Sequence, residues 1–294
     1  MDKIFKQEVS IKDEKFDIDD MSYYRLYITV GEDNFRFCVI DSLQNRCMLL
    51  EDYHFFRKLS SEELVSSLNR IYDSNLFLKA NFWQSVSIVL KGNAFTLVPR
   101  EFFEESSPEK YLRLVAPKLE QMLVVVAEQQ SLDAVNIFQA DNNIVNWFHQ
   151  TYPTRVIEFL HQTSAFIEGT RHLSRDSDVP SVHAFVEASY MIINVMREDQ
   201  LELCNVFPFK SGNDLIYFTL FVMDELRLDK DTTPLFLYGN IELESEIYRS
   251  IRSYLGRVTI QSELPPWSQF NYQFQEASTH YYFDLFSMHL CPHS

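Results

Sequence analysis

Apolar and polar positions follow the same order twice along this chain. Residues 23–56 alternate as three strands. YYRLYITV is followed by the turn Gly31-Glu32-Asp33, then NFRFCVID and RCMLLEDYHF. A capping box, Ser60-x-x-Glu63, opens a helix whose apolar face is Leu64, Leu68, Ile71 and Tyr72. The short apolar run SVSIVL from Ser85 reads as a buried strand. Residues 182–209 repeat the plan with VHAFVEAS, YMIINVM and, after Arg197-Glu198-Asp199, LELCNVFPF. A second capped helix starts at Ser211-x-x-Asp214, and PLFLYG from Pro234 matches the buried strand.

Between the repeats, SVSIVL and AFTLVP read as a hairpin turning at Lys91-Gly92-Asn93. MLVVVAEQ and AVNIFQA read as a second hairpin, and Asp141 or Asn142 caps a helix to about Tyr152. RVIEFLH is a strand, Ser164–Arg175 a helix, and SRDSDVPS at 174–181 a linker. The helix 215–226 is apolar on nearly every side, which predicts full burial. Leu243, Ile247, Ile251 and Leu255 form one stripe of a helix over 242–255, Arg257–Ile260 is a last strand, and the aromatic tail 274–290 is helical. Strands alternating with helices indicate an α/β fold with mixed sheets.

Six glycines in 294 residues is about a third of ordinary usage. No glycine-rich phosphate loop is present, and such loops need glycine for close backbone approach. The formal charge of −16 opposes nucleic acid and anionic lipid. Scattered cysteines (Cys38, Cys47, Cys204, Cys291) and no apolar stretch long enough to span a bilayer predict a reduced, cytoplasmic protein without membrane insertion. The N-terminal residues MDKIFKQEVS lack the apolar core of a signal peptide.

A three-strand meander followed by alternating helices and strands, given twice, resembles the actin-like ATPase superfamily. The segments 24–41, 85–103, 212–229, 234–255 and 283–292 are similar, more specifically, to a Bacteroidota family designated a domain of unknown function (DUF3822-like). The resemblance implies a bilobed, ribonuclease H-like fold of duplicated βββαβαβα units. Lobe I would be 1–176, with an inserted subdomain at about 85–140, and lobe II 177–294 with a C-terminal helix.

It also implies where a nucleotide would sit. The first phosphate loop, D-x-G-[ST] in the superfamily, falls on Thr29-Val30-Gly31-Glu32, where Thr29 replaces the metal-holding carboxylate and Glu32 the hydroxyl. The second D-x-G falls near Phe185-Val186-Glu187, with Ser189 following, and keeps neither residue. The adenosine glycine pair is reduced to Gly239-Asn240. The expectation is a degenerate site with no cofactor, no metal and no catalytic residue, in a protein that works through contacts with a protein partner or a second copy. Two alternatives stay open. One is an ATP-binding or ATP-hydrolysing enzyme in which Glu32 or Glu187 takes the metal role. The other is a small-molecule site in the cleft between lobes.

Other chemistry is sparse. His289, Cys291 and His293 have zinc-compatible alternation but no second cluster. The remaining histidines are scattered, and no G-x-S-x-G occurs. Asn81-Phe82-Trp83 and the tail from Trp267 to Phe286 are candidate exposed aromatic patches, burial being the expectation for the tail.

Overall fold

The computed structural model describes residues 4–75, 77–117 and 121–292. They divide into two compact units. The first draws on Met1–Ser164, Pro266–Ala277 and Cys291–Ser294, and the second on Ala165–Pro265 and Ser278–Leu290.

The first unit begins with β1 (Phe5–Lys12), β2 (Tyr24–Val30), β3 (Asn34–Asp41), β4 (Arg46–Phe55), α1 (Ser61–Ser74) and β5 (Ser85–Leu90). Then come β6 (Phe95–Pro99), α2 (Glu109–Leu112), β7 (Met122–Gln129), β8 (Ala134–Asp141), α3 (Asn142–Thr151) and β9 (Ile157–His161). Helix α4 (Gln162–Ser174) carries the chain into the second unit. The second unit holds β10 (Ser181–Val186), β11 (Tyr190–Arg197), β12 (Gln200–Pro208), α5 (Gly212–Glu225), β13 (Leu235–Gly239), α6 (Glu246–Tyr254), β14 (Val258–Ile260) and α7 (Phe283–Ser287).

The duplication is visible in strand order. One sheet runs β1-β4-β3-β2-β5-β9 and the other β12-β11-β10-β13-β14. With β1 set aside, each is an antiparallel meander followed by two parallel strands, in the same sequence of neighbours. The meander turns have local causes. Glu198 and Asp199 both take positive φ, 49° and 65°, the twist a two-residue hairpin needs. Ser60 accepts from the Glu63 amide and the Glu63 carboxylate accepts from the Ser60 N–H at 3.0 Å, which fixes where α1 starts.

Several local expectations give way. SVSIVL and AFTLVP do not pair. Strand β5 lies between β2 and β9, while β6 joins a separate three-stranded sheet, β6-β8-β7. The inserted sheet therefore begins after β5. Its anchor is His161, whose ring stacks on Phe95 at 4.9 Å. His161 Nε2–H donates to Gly92 O at 3.1 Å, and Nδ1 accepts from the Thr163 amide at 3.2 Å. Asn136 of β8 donates to Thr163 Oγ1 and Ser164 Oγ at 2.8 and 2.9 Å. Burial lowers the His161 pKa from 6.5 to about 3, so the imidazole is neutral and structural.

The linker at 174–181 lies inside the second unit, where Ser174 and Ser181 place their hydroxyls 3.3 Å apart. The first unit instead regains Pro266–Ala277, which would have fallen in lobe II of a 177–294 division. There Gln269 exchanges backbone bonds with Asn45 and Cys47, and the Asn45 amide donates to Trp267 O at 2.6 Å.

Helix α5 is buried on one side only. Leu215, Ile216, Val222 and Met223 enter the core with Val182, Ala184 and Val186, while Tyr217 and Phe221 are exposed. Helix α6 starts at Ser245, which accepts from the Tyr248 amide at 3.2 Å, so Leu243 lies before the helix and is exposed. The tail behaves as expected in being helical in short turns, with Trp267, Phe274, Phe283 and Phe286 buried. At 81–83, Phe82 is exposed and Trp83 is fully buried.

Candidate functional site

In each unit the first strand of the meander ends in a turn, and the seven candidate residues lie at these turns and, in the second unit, at the end of β13. Thr29, Gly31 and Glu32 come together at the β2–β3 turn of the first unit. Glu187, Ser189, Gly239 and Asn240 come together in the second, at the ends of the parallel neighbours β10 and β13.

In the first turn, Gly31 N–H donates to Asn34 O at 2.9 Å, closing the hairpin. The Lys91 amide donates to Val30 O at 2.9 Å and ties β5 alongside. Thr29 is fully buried and its hydroxyl has no hydrogen-bond partner among the described residues. An aspartate at this place would carry a charge toward the turn, whereas Thr29 offers one enclosed hydroxyl. The space above Gly31 is taken, because a Cβ there would lie 3.0 Å from Lys91 Cδ and 3.2 Å from Asn34 Oδ1. The Asn34 amide in turn donates to Asp33 Oδ1 at 2.5 Å.

Two lysines that sequence reasoning did not single out stand at this turn. Lys58 forms an ion pair with Glu32, and the Lys91 chain covers Gly31. Glu32 therefore meets a cation rather than presenting a bare negative charge. Both sit far from Glu32 in sequence, so only the pairing of β2 with β5 and the entry to α1 bring them in.

In the second unit the Glu187 amide donates to Tyr190 O at 2.8 Å, which makes the β10–β11 turn. Glu187 is buried, while Ser189 is exposed. Gly239 ends β13 with φ +76°, a conformation L side chains avoid. The Asn240 amide then donates back to Val186 O at 2.7 Å, and the Asn240 side chain is exposed. Among the described residues no group of three His, Cys, Asp or Glu is disposed to hold a metal, and His293 of the C-terminal His-Cys-His alternation lies outside them. No helix among them is long and apolar enough to cross a membrane.

Comparison with known proteins agrees with this architecture. A Bacteroides thetaiotaomicron VPI-5482 protein with an actin-like ATPase fold and unknown function superposes with a TM-score of 0.78 at 21% identity. The match covers 94% of this chain and 99% of that one. The PilM-PilN type IV pilus biogenesis complex gives a TM-score of 0.60 at 12% identity, over 91% of this chain and 99% of that one. At such identities the likeness is one of fold: the chain has the actin-like ATPase fold. No curated protein matches it. The family model described as "Protein of unknown function (DUF3822)" matches residues 13–258, and the chain belongs to that family.

Proposed function

We propose that this protein is an actin-like module that has lost ATP turnover and acts through protein contacts. The observation that carries the reading is the β2–β3 turn. The strand position that would hold hydrated magnesium is a buried threonine, and the space over Gly31 is filled by Lys91 and Asn34. A triphosphate needs backbone it can approach and a carboxylate placed for its metal; here Gly31 is covered by Lys91 and Asn34, and the Glu32 carboxylate is engaged by Lys58.

The three-stranded sheet supports the contact half of the reading. Strand β7 has β8 on one side and no second strand neighbour among the described residues. Leu123, Val124 and Val126 along it are each 38% exposed, and Leu114, Val115 and Phe102 nearby in the chain are more exposed still. Soluble proteins usually blunt such an edge with charge, so an apolar one marks a surface that a partner covers. A fold of this kind is solved with a partner bound, in the PilM-PilN complex.

One observation favours a rival. Lys58 and Lys91 bring positive charge to the first turn, which an atypical nucleotide site would use. Phosphate release from MgATP separates the two. The proposal expects none above a buffer blank, with Glu187→Ala unchanged; the rival expects turnover that Glu187→Ala removes. The contact half is tested by the double variant Val124→Glu/Val126→Glu. It should lose a partner retained from native cytosol by the unaltered chain, or remain monomeric where that chain self-associates. Identical behaviour of the two chains would count against it.

A further inference from the structure

A cavity of about 350 Å³ lies within the second unit, on the sheet face opposite the α5 and α6 core. It is lined by Leu173 and Ser174 of α4, Ser181 and His183 of β10, Phe236 and Tyr238 of β13, and the segment around Arg257. Its size is in the range of small-molecule sites, roughly 300 to 1,000 Å³. The turn residues Glu187 and Gly239 do not line it.

Its polar groups form one buried cluster. His183 Nε2 lies 2.9 Å from Ser181 Oγ and 3.2 Å from Ser174 Oγ, and Nδ1 lies 3.0 Å from the Tyr238 hydroxyl. The imidazole stacks on Phe236, with ring centroids 5.1 Å apart. Burial lowers the His183 pKa to about 3, so the ring is neutral and carries one proton. Proton counting then leaves a surplus. If Nδ1 holds the ring proton it donates to the Tyr238 oxygen, and the phenol's own proton finds no acceptor in the cluster. If Nε2 holds it, the phenol donates to Nδ1, Nε2–H donates to Ser181 and Ser181 to Ser174. The Ser174 proton is then left over. Neither Ser174 nor Tyr238 has another side-chain hydrogen-bond partner among the described residues. A buried donor without an acceptor is costly, so the site calls for one.

Arg257, exposed at the mouth of the cavity, adds a positive charge. In a chain of net charge −16, its guanidinium has no carboxylate partner among the described residues and donates only to Thr232 O, at 3.3 Å. We infer that this cavity binds a small organic acid, with its apolar or aromatic body against Phe236 and Tyr238, its anionic group on Arg257, and an acceptor oxygen taking the surplus hydroxyl proton. Aromatic walls, an unpaired arginine and a spare donor are the features that recognise such a ligand.

NMR titration of the full chain with benzoate and phenylacetate, and with benzyl alcohol as the neutral counterpart, tests this. The acids should shift the His183 ring and Arg257 side-chain resonances and bind roughly tenfold or more tighter than the alcohol, the preference one charge-assisted pair provides. Arg257→Gln alters an exposed residue and should erase that preference. Val179→Trp, at the exposed rim, should abolish binding of both acids with the rest of the spectrum unchanged. Equal response to acid and alcohol, no shift at His183 with either acid, or a response to inorganic phosphate alone would overturn the inference.

Discussion

The carbonyl oxygen of Val186 lies where a side chain on Gly239 would begin: a Cβ built on Gly239 would sit 2.2 Å from it. The two residues are register partners in the parallel pair β10–β13. The next residue, Asn240, donates to that same carbonyl. Gly239, expected from the sequence to be the remnant of an adenosine motif, thus has a backbone reason to be glycine that involves no nucleotide. Chain reversal at the end of β13 requires positive φ and bare backbone. Replacing Gly239 by Ala should destabilise the protein by about 3 kcal/mol, combining left-handed strain with overpacking. Urea unfolding measures this, and a Gly239→Ala protein of normal stability would show that the glycine is kept for another purpose.

Gly169, within α4, poses the same test away from the candidate site. A Cβ there would meet Ser287 Oγ at 2.2 Å and the Phe283 ring at 2.7 Å. Alanine would gain about 1 kcal/mol in an exposed helix. Here Gly169→Ala should instead cost about 1 to 3 kcal/mol, because α7 packs directly on that face. Adding Ser287→Ala should recover part of the loss, a non-additivity visible in a double-mutant cycle.

The buried histidines set a pH dependence. His161 and His183 have folded pKa values lowered to about 3 from 6.5. Between those values the unfolded chain binds a proton that the folded chain refuses. Their contribution is therefore complete above pH 6.5 and is lost progressively as pH falls toward 3. From 6.5 to about 5 each histidine should remove about 2 kcal/mol of stability. Urea midpoints across that range check the slope, and His161→Gln should flatten it. An unchanged slope in that variant would mean His161 does not titrate as its burial requires.

The helix start at Ser60 offers a milder check. Its hydroxyl accepts the Glu63 amide, and Glu63 is held by Arg57 through contacts of 2.8 and 2.5 Å. Ser60→Ala should cost about 1 kcal/mol by leaving that amide to water.

Local signals located the meanders, the caps and the duplicated order, because hairpins and helix starts are written in adjacent residues. The Asp141 cap is an example, its Oδ1 accepting from the Asn143 and Ile144 amides at 2.8 and 3.2 Å. What failed was non-local. Lys91-Gly92-Asn93 between two strands has the form of a hairpin. The competing partners of β5 are β2 and β9, reached by parallel pairing that leaves no mark next to the turn. Helix α5 misled for a related reason: its composition is apolar throughout, but only one face meets the sheet, and Tyr217 and Phe221 stack on each other outside, with ring centroids 6.3 Å apart.

The candidate site was legible as positions and not as surroundings. The place of Thr29, Gly31 and Glu32 at the end of β2 could be read directly, whereas the ion pair of Glu32 with Lys58 depends on how the chain enters α1. Burial of the Thr29 hydroxyl is likewise a property of the closed sheet.

The most direct measurement is isothermal calorimetry of the full chain with MgATP and MgADP. With Thr29 in place of a carboxylate and Lys91 over Gly31, no binding heat is expected up to millimolar nucleotide. A micromolar dissociation constant accompanied by magnesium-dependent release of phosphate would contradict the proposed loss of ATP turnover.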